Sequence, residues 1–336
     1  MMEKILSTLE KLLGDPKVFV QTGDDKGLFV NWIQPSTATV LTAWPDTHLP
    51  VKQQLSSVDN AWLIASAKLA GAQFSELHER IATFLSKIDL LYMRDTTTGY
   101  LHGCQELGVG FEPWKYDVLS EARIAYLVGD DQCIAQLGHI FATRSEKSVF
   151  ADASGVKGRA TWDGQYFQLG WPSLLVPESS LHPQWRDTHH ATIAKQREYA
   201  SNHKSNYYGN TAGLSPDGRY YEFRVPDSGE STDTYEDTTV INVSALVNMG
   251  LYQPVESAHV LEQLFSEYPS ISHGENGCGD TVDVAAGTVQ RDQVFPNQAS
   301  ALMAAWSILS DGRPQKLFMT TVHPSVKTMY EANPLW

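Results

Sequence analysis

The sequence predicts an all-α dominated fold, an (α/α)6 toroid with short β-hairpins in its loops. Apolar residues recur at helical spacing in many segments, and most of these segments form pairs joined by a short connection. Short strand-like stretches with Gly or Asp turns separate the pairs, and no βαβ alternation is visible. A helical solenoid is the structural alternative, but no period of about 20–50 residues repeats. We therefore expect one domain over residues 1–336.

The elements follow from local patterns along the chain. The first predicted helix has one apolar face, formed by Ile5, Leu6, Leu9, Leu12 and Leu13. Ser57 and Asp59 are possible caps of the second helix, and Pro183 and Pro296 favour helix starts later on. Beyond the first, helices are predicted over 57–72, 74–87, 118–128, 131–143, 183–203, 238–249, 255–268, 295–309 and 323–332. Strand-like stretches are predicted within 17–33, 91–102, 160–168 and 207–225.

Composition restricts the class of ligand. The net charge of −14 argues against nucleic acid as a partner, because binding to phosphates needs a basic surface. Many of the 9 Trp and 14 Tyr residues lie beside Gly, Asp or Asn in predicted loops. Aromatic rings with polar neighbours suit flat ligands with hydroxyl edges, such as neutral sugars, although most aromatic residues in any protein are core.

Signals for location, metals and cofactors are few. Cys104, Cys133 and Cys278 lack paired spacing, so neither a disulfide framework nor a CxxC metal site is indicated. No HExxH motif, EF-hand spacing, P-loop or GxSxG elbow is present, and we expect no metal and no cofactor. No signal peptide or membrane span is indicated. We expect a cytoplasmic protein, or a periplasmic or secreted one if a signal has been removed.

The loop over 273–298 is the most informative part of the chain. Its glycines allow sharp turns that can present Glu275 and Asp280 to a ligand, and Asn297 and Gln298 open the next predicted helix. The alternative is an ordinary polar connection. We expect this loop to form a wall of a sugar site, with Asp280 directed into it.

Residues 112–123 form the densest polar cluster. Asp117 and Glu121 are four residues apart, so on a helix they would share one face, and like charges at that distance raise one pKa, as a general acid requires. Arg123 could pair with either carboxylate. The alternative is a capping carboxylate followed by an Arg–Glu salt bridge.

Further candidates lie in other loops. Asp59 could hold sugar hydroxyls above Trp62, or simply cap its helix. His102 is a candidate ligand-binding residue, although a lone His is more often structural. The remaining candidates are Trp114, Tyr116, Trp162, Tyr208 and Glu222.

Several of these motifs, in this order, resemble the glucoamylase-like domain family, which includes endo-β-1,2-glucanases and the C-terminal parts of cyclic-glucan synthases. The resemblance covers roughly residues 57–310. It rests on Ser-Val-Asp-Asn-Ala-Trp-Leu (57–63), Gly-Tyr-Leu-His-Gly (99–103), Tyr-Asp-Val-Leu-Ser-Glu-Ala-Arg-Ile-Ala-Tyr (116–126), Trp-Asp-Gly-Gln-Tyr-Phe (162–167), Tyr-Gly-Asn-Thr-Ala-Gly (208–213) and Gly-Glu-Asn-Gly-Cys-Gly-Asp (274–280).

The resemblance implies an α/α toroid and an inverting glycosidase that acts on a β-linked glucan. Asp59, Glu121 and Asp280 fall on acidic positions of the family pattern. The family often has a glutamate where this chain has Tyr208 to Ala212 without an acid, and an Asp-Gln-Gly where this chain has Asn297-Gln298-Ala299.

We therefore predict catalytic roles for Glu121, Asp117, Asp280 and Glu222, with Glu236 or Asp237 as less favoured replacements for the missing glutamate. An inverting pair lies roughly 6.5–9.5 Å apart. Predicted substrate-binding residues are Asp59, Trp62, His102, Trp114, Tyr116, Arg123, Trp162, Tyr208, Glu275, Asn297 and Gln298. The rival hypotheses are a non-catalytic glycan-binding protein on the same scaffold and a sugar isomerase or lyase.

Overall fold

The structure is a computed structural model, and it describes residues 1–34, 36–44, 48–143, 145, 147–233, 238–274 and 277–336. Within these ranges the chain forms thirteen α-helices. In chain order, α1 to α13 are Met2–Leu12, Ser57–Gln73, His78–Leu85, Arg123–Val128, Asp131–Ala142, Tyr166–Ser173, Glu178–Leu181, Pro183–Asn202, Val243–Met249, Pro254–Glu267, Phe295–Leu309, Arg313–Met319 and Ser325–Ala332.

Short strands fill the connections between the helices. In chain order, β1 to β14 are Phe19–Gly23, Lys26–Asn31, Ile33–Gln34, Thr39–Val40, Gln54–Ser56, Cys104–Glu106, Gly110–Phe111, Val149–Ala151, Lys157–Arg159, Gly213–Leu214, Tyr220–Tyr221, Val240–Asn242, Thr281–Asp283 and Thr288–Gln290. They form an antiparallel sheet in the order β1-β2-β5-β6-β7, a three-stranded sheet β12-β13-β14, and the hairpins β3-β4, β8-β9 and β10-β11.

The chain divides into two compact units. The first contains residues 1–117, 122–139 and 320–329, and the second contains 118–121, 140–319 and 330–336. In the first unit, α2 packs against α3 and α4 and contacts the five-stranded sheet. In the second, α9 packs against α6, α10 and α11. The single domain expected over residues 1–336 stays a prediction.

The amphipathic N-terminal helix is confirmed. Leu6 and Leu12 are buried in a core cluster of the first unit with Phe19, Phe29 and Phe84. One apolar residue of the predicted face differs, since Ile5 is 45% exposed.

None of the helices in the described ranges combines the length and the apolar character that a membrane crossing requires.

Three of the observed helices begin at or next to a proline, close to the starts predicted from the sequence. Pro183 and Pro254 are the first residues of α8 and α10, and Pro296 is the second residue of α11. Proline is favoured there because the first helical N–H groups have no partner within the helix.

Three predicted elements are wrong. The helix predicted over 118–128 begins only at Arg123, and the one predicted over 238–249 begins at Val243 after strand β12. Within the strand-like stretch 160–168, helix α6 begins at Tyr166. The strand residues Val240–Asn242 pair with β13, so cross-strand hydrogen bonds replace the helical ones there.

A buried polar network stabilises the second unit. Glu178 and His189 are fully buried, and Glu178 Oε1 accepts a 2.7 Å hydrogen bond from the Tyr330 hydroxyl. Ser173 donates to Glu178 Oε2 and lies 3.0 Å from His189 Nε2, while Tyr166 Oη lies 3.1 Å from His189 Nδ1. The single carboxylate thus supplies acceptors to several buried donors at once.

Glu178→Ala should lower the free energy of unfolding by about 1–3 kcal/mol, because it removes the buried acceptor of the Ser173 and Tyr330 hydroxyls. The matched control is Glu198→Ala, since Glu198 pairs with Lys195 at a solvent-accessible position and such pairs contribute about 0–1 kcal/mol. The measurement is urea unfolding of both variants. Equal unfolding midpoints for the two would contradict the stabilising role of Glu178.

Candidate functional site

The first turn of α2 organises the candidate residues of the first unit. Ser56 caps this helix, and its Oγ accepts a hydrogen bond from the Asp59 N–H. Asp59 is therefore not the capping residue, and its exposed carboxylate accepts a 2.5 Å hydrogen bond from the Asn31 side chain. Trp62, one turn further, is half-buried. The arrangement leaves Asp59 available to solvent in a fixed orientation.

The indole ring of Trp114 packs directly against the backbone of Gly103. Trp114 is 47% exposed, and its ring lies against the Gly103 backbone so closely that a Cβ atom on Gly103 would be 1.8 Å from ring carbons. The Gly103 carbonyl accepts a 3.1 Å hydrogen bond from the N–H of Ser57, the first residue of α2. One face of the indole is thus supported by backbone, and the platform is tied to the same helix turn as Asp59.

Tyr116 and Tyr126 hold the strand-like segment that carries Trp114. The Tyr116 ring stands edge-on to Trp114, with centroids 5.3 Å apart and planes at 90°. The Tyr126 hydroxyl donates to the Tyr116 carbonyl at 2.6 Å and accepts from the Leu101 N–H at 3.0 Å. Burial raises the pKa of Tyr126, so its hydroxyl stays protonated and can donate.

His102 lies on the neighbouring strand segment. Its ring stacks on Phe111, with centroids 4.4 Å apart and planes at 22°, and its Nδ1 is 3.4 Å from the Glu112 carbonyl. These contacts fix the ring. A role for His102 in substrate binding stays a prediction.

The helical pairing of Asp117 and Glu121 is wrong, because α4 begins only at Arg123. Asp117 is exposed, whereas Glu121 is half-buried within a turn. Arg123 is 2% exposed, and a guanidinium this deeply buried is not directed at a ligand in bulk solvent. The catalytic assignments of Asp117 and Glu121 therefore rest on the sequence motif and not on helical spacing.

Asp280 lies in the second unit, where it is 1% exposed and ties three loops together. One carboxylate oxygen accepts a 2.7 Å hydrogen bond from the Leu214 N–H, and the other accepts a 2.9 Å hydrogen bond from the Asn297 side chain. The Asn242 side chain is a third donor. Gly213 is required beside it, since a Cβ atom there would be 2.5 Å from Asp280 Oδ2.

The environment of Asp280 is buried and rich in hydrogen-bond donors, and its predicted position in a ligand site stays a prediction. Burial raises its pKa, and the hydrogen bonds from Asn297, Leu214 and Asn242 oppose that effect. Asn297 is also buried and donates to the Ala212 carbonyl at 3.0 Å. Gln298 instead contacts the Cys278 sulfur, at 3.8–3.9 Å. The geometry gives Asp280 and Asn297 a loop-positioning role.

Arg224 forms ion pairs with two of the second unit's carboxylates. Its Nε lies 2.8 Å from buried Asp163, and its Nη2 pairs with the exposed Glu222. Burial raises the pKa of Asp163, while Gln165 and Arg224 oppose that effect. The preceding residue, Trp162, is 43% exposed. Glu222 thus belongs to an ion-paired cluster with Arg224 and Asp163, and Asp163 directly follows the exposed Trp162.

Tyr208 is not an open aromatic platform. It is 4% exposed, and the guanidinium carbon of Arg197 lies 5.0 Å from the centre of its ring. Arg197 also donates to the Tyr208 hydroxyl at 3.3 Å. The ring is therefore covered by a cation rather than available to a sugar.

Some predicted residues cannot be assigned a position. Glu275, Glu236 and Asp237 lie outside the described residues. Among those that are described, no group of three or more His, Cys, Asp or Glu side chains could hold a metal ion. Sequence reasoning missed Asn242, Gly213 and Arg224, whose roles depend on contacts between distant segments.

Asp280→Asn should lower the free energy of unfolding by about 1–3 kcal/mol. The carboxylate receives only donors, so the amide NH2 of an asparagine would face another donor and one acceptor would be lost. Asp292→Asn is the control, because Asp292 is exposed on the same loop. Thermal unfolding measures both; an Asp280→Asn variant as stable as Asp292→Asn would contradict the network.

The chain matches no known family profile, and no curated protein matches it by sequence. Its fold, in contrast, is similar to solved structures over nearly the whole chain. A candidate glucoamylase from Bacteroides uniformis matches with a TM-score of 0.73 at 13% identity, covering 98% of this chain and 81% of that one.

Two endo-β-1,2-glucanases are also similar in fold. The enzyme from Chitinophaga pinensis, in complex with sophorotriose and glucose, has a TM-score of 0.71 at 16% identity and covers 99% of this chain and 80% of that one. The enzyme from Talaromyces funiculosus, in complex with sophorose, has a TM-score of 0.64 at 10% identity, with coverages of 99% and 72%. These matches confirm the predicted fold class, an α/α toroid with short β-hairpins. The chain therefore has the fold of the glucoamylase-like and endo-β-1,2-glucanase structures, the group that its sequence motifs resemble.

Proposed function

We propose that the protein is an inverting glycoside hydrolase that cleaves a neutral glucan, with β-1,2-linked glucan as the first candidate. The observation that carries the proposal is the fold shared with β-1,2-glucanases over 98–99% of this chain. At 10–16% sequence identity, the similarity supports the fold alone. The proposed substrate and residue roles therefore depend on the side chains of this chain.

The exposed Trp114 supports a saccharide ligand. An indole supported on one face by Gly103 and open on the other offers a rigid, flat apolar surface, and it loses little conformational entropy when a ligand binds. The exposed carboxylate of Asp59, fixed by Asn31, can accept hydrogen bonds from hydroxyl groups. A flat apolar surface with a nearby acceptor matches a neutral sugar, and the net charge of −14 disfavours an anionic one.

Glu121 is proposed as the general acid. In an inverting reaction the acid donates its proton to the glycosidic oxygen as the bond from that oxygen to the anomeric carbon breaks. Glu121 is half-buried, and one of its carboxylate oxygens is shielded from solvent. A carboxylic acid held at a bound glycosidic oxygen can give its proton to that oxygen, which is the role of a general acid.

A second carboxylate must take a proton from the attacking water molecule. Asp117 and Glu222 are exposed, so either can meet a water molecule, whereas both oxygens of Asp280 already accept hydrogen bonds within the protein. We therefore assign this step to Asp117 or Glu222. The water oxygen then bonds to the anomeric carbon from the face opposite the leaving group.

One observation favours the non-catalytic alternative. The segment from Tyr208 to Ala212, where the family often has a glutamate, is buried and contains no acid. A glycan-binding protein on this scaffold would bind the oligosaccharide without releasing product. Incubation of wild-type protein with β- and α-linked glucans, scored for new reducing ends and for binding, separates the two functions.

Glu121→Gln should lower the hydrolysis rate by roughly 10²–10⁴-fold, because the amide cannot protonate the leaving oxygen. Its melting temperature should stay within a few degrees of the wild type. Glu79→Gln, an exposed position on α3, is the control and should keep full activity. Retained activity in Glu121→Gln, or a loss that accompanies unfolding, would remove Glu121 from the mechanism.

Gly103→Ala should reduce oligosaccharide affinity as much as Trp114→Ala does, since the added methyl group occupies the position of the indole ring. Gly71→Ala is the matched control, because a Cβ atom there would be 3.5 Å from its nearest neighbour. Calorimetric titration with β-1,2-gluco-oligosaccharides measures all three. If Gly103→Ala binds like the wild type, Trp114 is not the platform.

A further inference from the structure

Trp32 and Trp44 lie side by side in the first unit with a large part of each indole exposed. Their ring centroids are 5.8 Å apart and their planes are inclined by 55°. Trp32 is 43% exposed and Trp44 is 38% exposed. Tryptophan is the largest side chain and usually highly buried, so two adjacent exposed indoles mark a surface that a ligand can cover.

Backbone hydrogen bonds fix both residues. The Trp32 carbonyl accepts a 2.7 Å hydrogen bond from the Leu41 N–H. Trp44 donates its N–H to the Leu49 carbonyl at 2.9 Å, and its own carbonyl accepts from the His48 N–H at 2.9 Å. These hydrogen bonds hold the backbone of both residues in place.

Two asparagines connect Trp32 to the first turn of α2. Asn60 is 2% exposed, and its side chain accepts from the Phe29 N–H at 2.9 Å and donates to the Phe29 carbonyl at 3.0 Å. Asn31, the residue before Trp32, donates to Asp59 at 2.5 Å. Strand β2 is thus hydrogen-bonded to the start of α2, and its last residue, Asn31, links the segment that carries Trp32 to the Asp59 carboxylate.

The same helix turn holds the Trp114 platform. Ser57 donates to the Gly103 carbonyl under Trp114, and Asp59 accepts from Asn31 next to Trp32. Ser57 and Asp59 are two residues apart, which is about 3 Å along the axis of α2. Both aromatic surfaces are therefore attached to the same turn of this helix.

We propose that Trp32 and Trp44, together with Asp59, form an additional subsite that binds one unit of a neutral oligosaccharide. The apolar faces of the indoles pack against the C–H face of a sugar ring, and Asp59 accepts hydrogen bonds from its hydroxyl groups. The Asp59 carboxylate and the negative net charge of the protein disfavour a uronate or sulfated sugar there. This inference rests on the proposed function, because it extends the same saccharide site.

The subsite makes affinity depend on the length of the ligand. The test is calorimetric titration with β-1,2-gluco-oligosaccharides of two to six units, in the Glu121→Gln background so that turnover does not distort the heats. Trp32→Ala and Trp44→Ala should each weaken binding of the longest oligosaccharide roughly tenfold and leave the disaccharide little affected. Trp32→Phe should recover part of the loss. Leu309→Ala, which removes an exposed apolar side chain on α11, is the control and should bind normally.

The outcomes separate this inference from the proposed function. Normal affinity for the longest oligosaccharide in both tryptophan variants, with binding in the background protein, would overturn the subsite alone. An equal loss for every length would also overturn it, because Trp32 and Trp44 would then act on the site as a whole. No binding of any oligosaccharide by the background protein and the wild type would overturn both.

Discussion

The carboxylate of Asp280 is the acceptor on which the loops of the second unit depend. One strand and two helix starts meet at its oxygens, through Leu214, Asn242 and Asn297. A buried carboxylate is stable only when donors saturate it, and the absence of a side chain at Gly213 lets the backbone approach closely enough to do so. The loop that sequence reasoning interprets as a ligand wall is therefore first of all a structural joint.

The first unit uses the same principle with neutral groups. Asn60 satisfies both backbone groups of Phe29, which fastens the sheet to the start of α2. Gly103, in turn, allows an indole to lie directly on the backbone. Because these supports are buried, the exposed side chains of Asp59 and Trp114 are held in place. Under the proposed function, this lowers the entropic cost of binding a sugar.

The sequence predicts the fold well where local chemistry decides the structure. Prolines at helix starts and apolar periodicity locate α1, α8, α10 and α11 within a few residues. The fold class also follows, and the solved structures of similar fold confirm it. The order of short motifs carries this information even though overall identity is only 10–18%.

The candidate site is predicted less completely, because its geometry depends on contacts between distant segments. Spacing alone places Asp117 and Glu121 on one helix face, yet α4 starts after both. Glycine-rich sequence around Asp280 is equally compatible with a ligand loop and with a tight buried joint, and the donors that decide between them lie 17 to 66 residues away. The sequence likewise suggests that Tyr208 is an aromatic platform for a sugar, but the contact of Arg197 with its ring depends on a residue elsewhere in the chain.

The central claim is that this scaffold hydrolyses a neutral glucan by direct displacement with water. Proton NMR of the anomeric signal, recorded in the first minutes after wild-type protein is mixed with linear β-1,2-glucan, tests it most directly. Inversion predicts that the α-anomer of the new reducing end appears first and then equilibrates with the β-anomer. Initial release of the β-anomer would contradict inversion, and the absence of any new reducing end would contradict hydrolysis of this glucan.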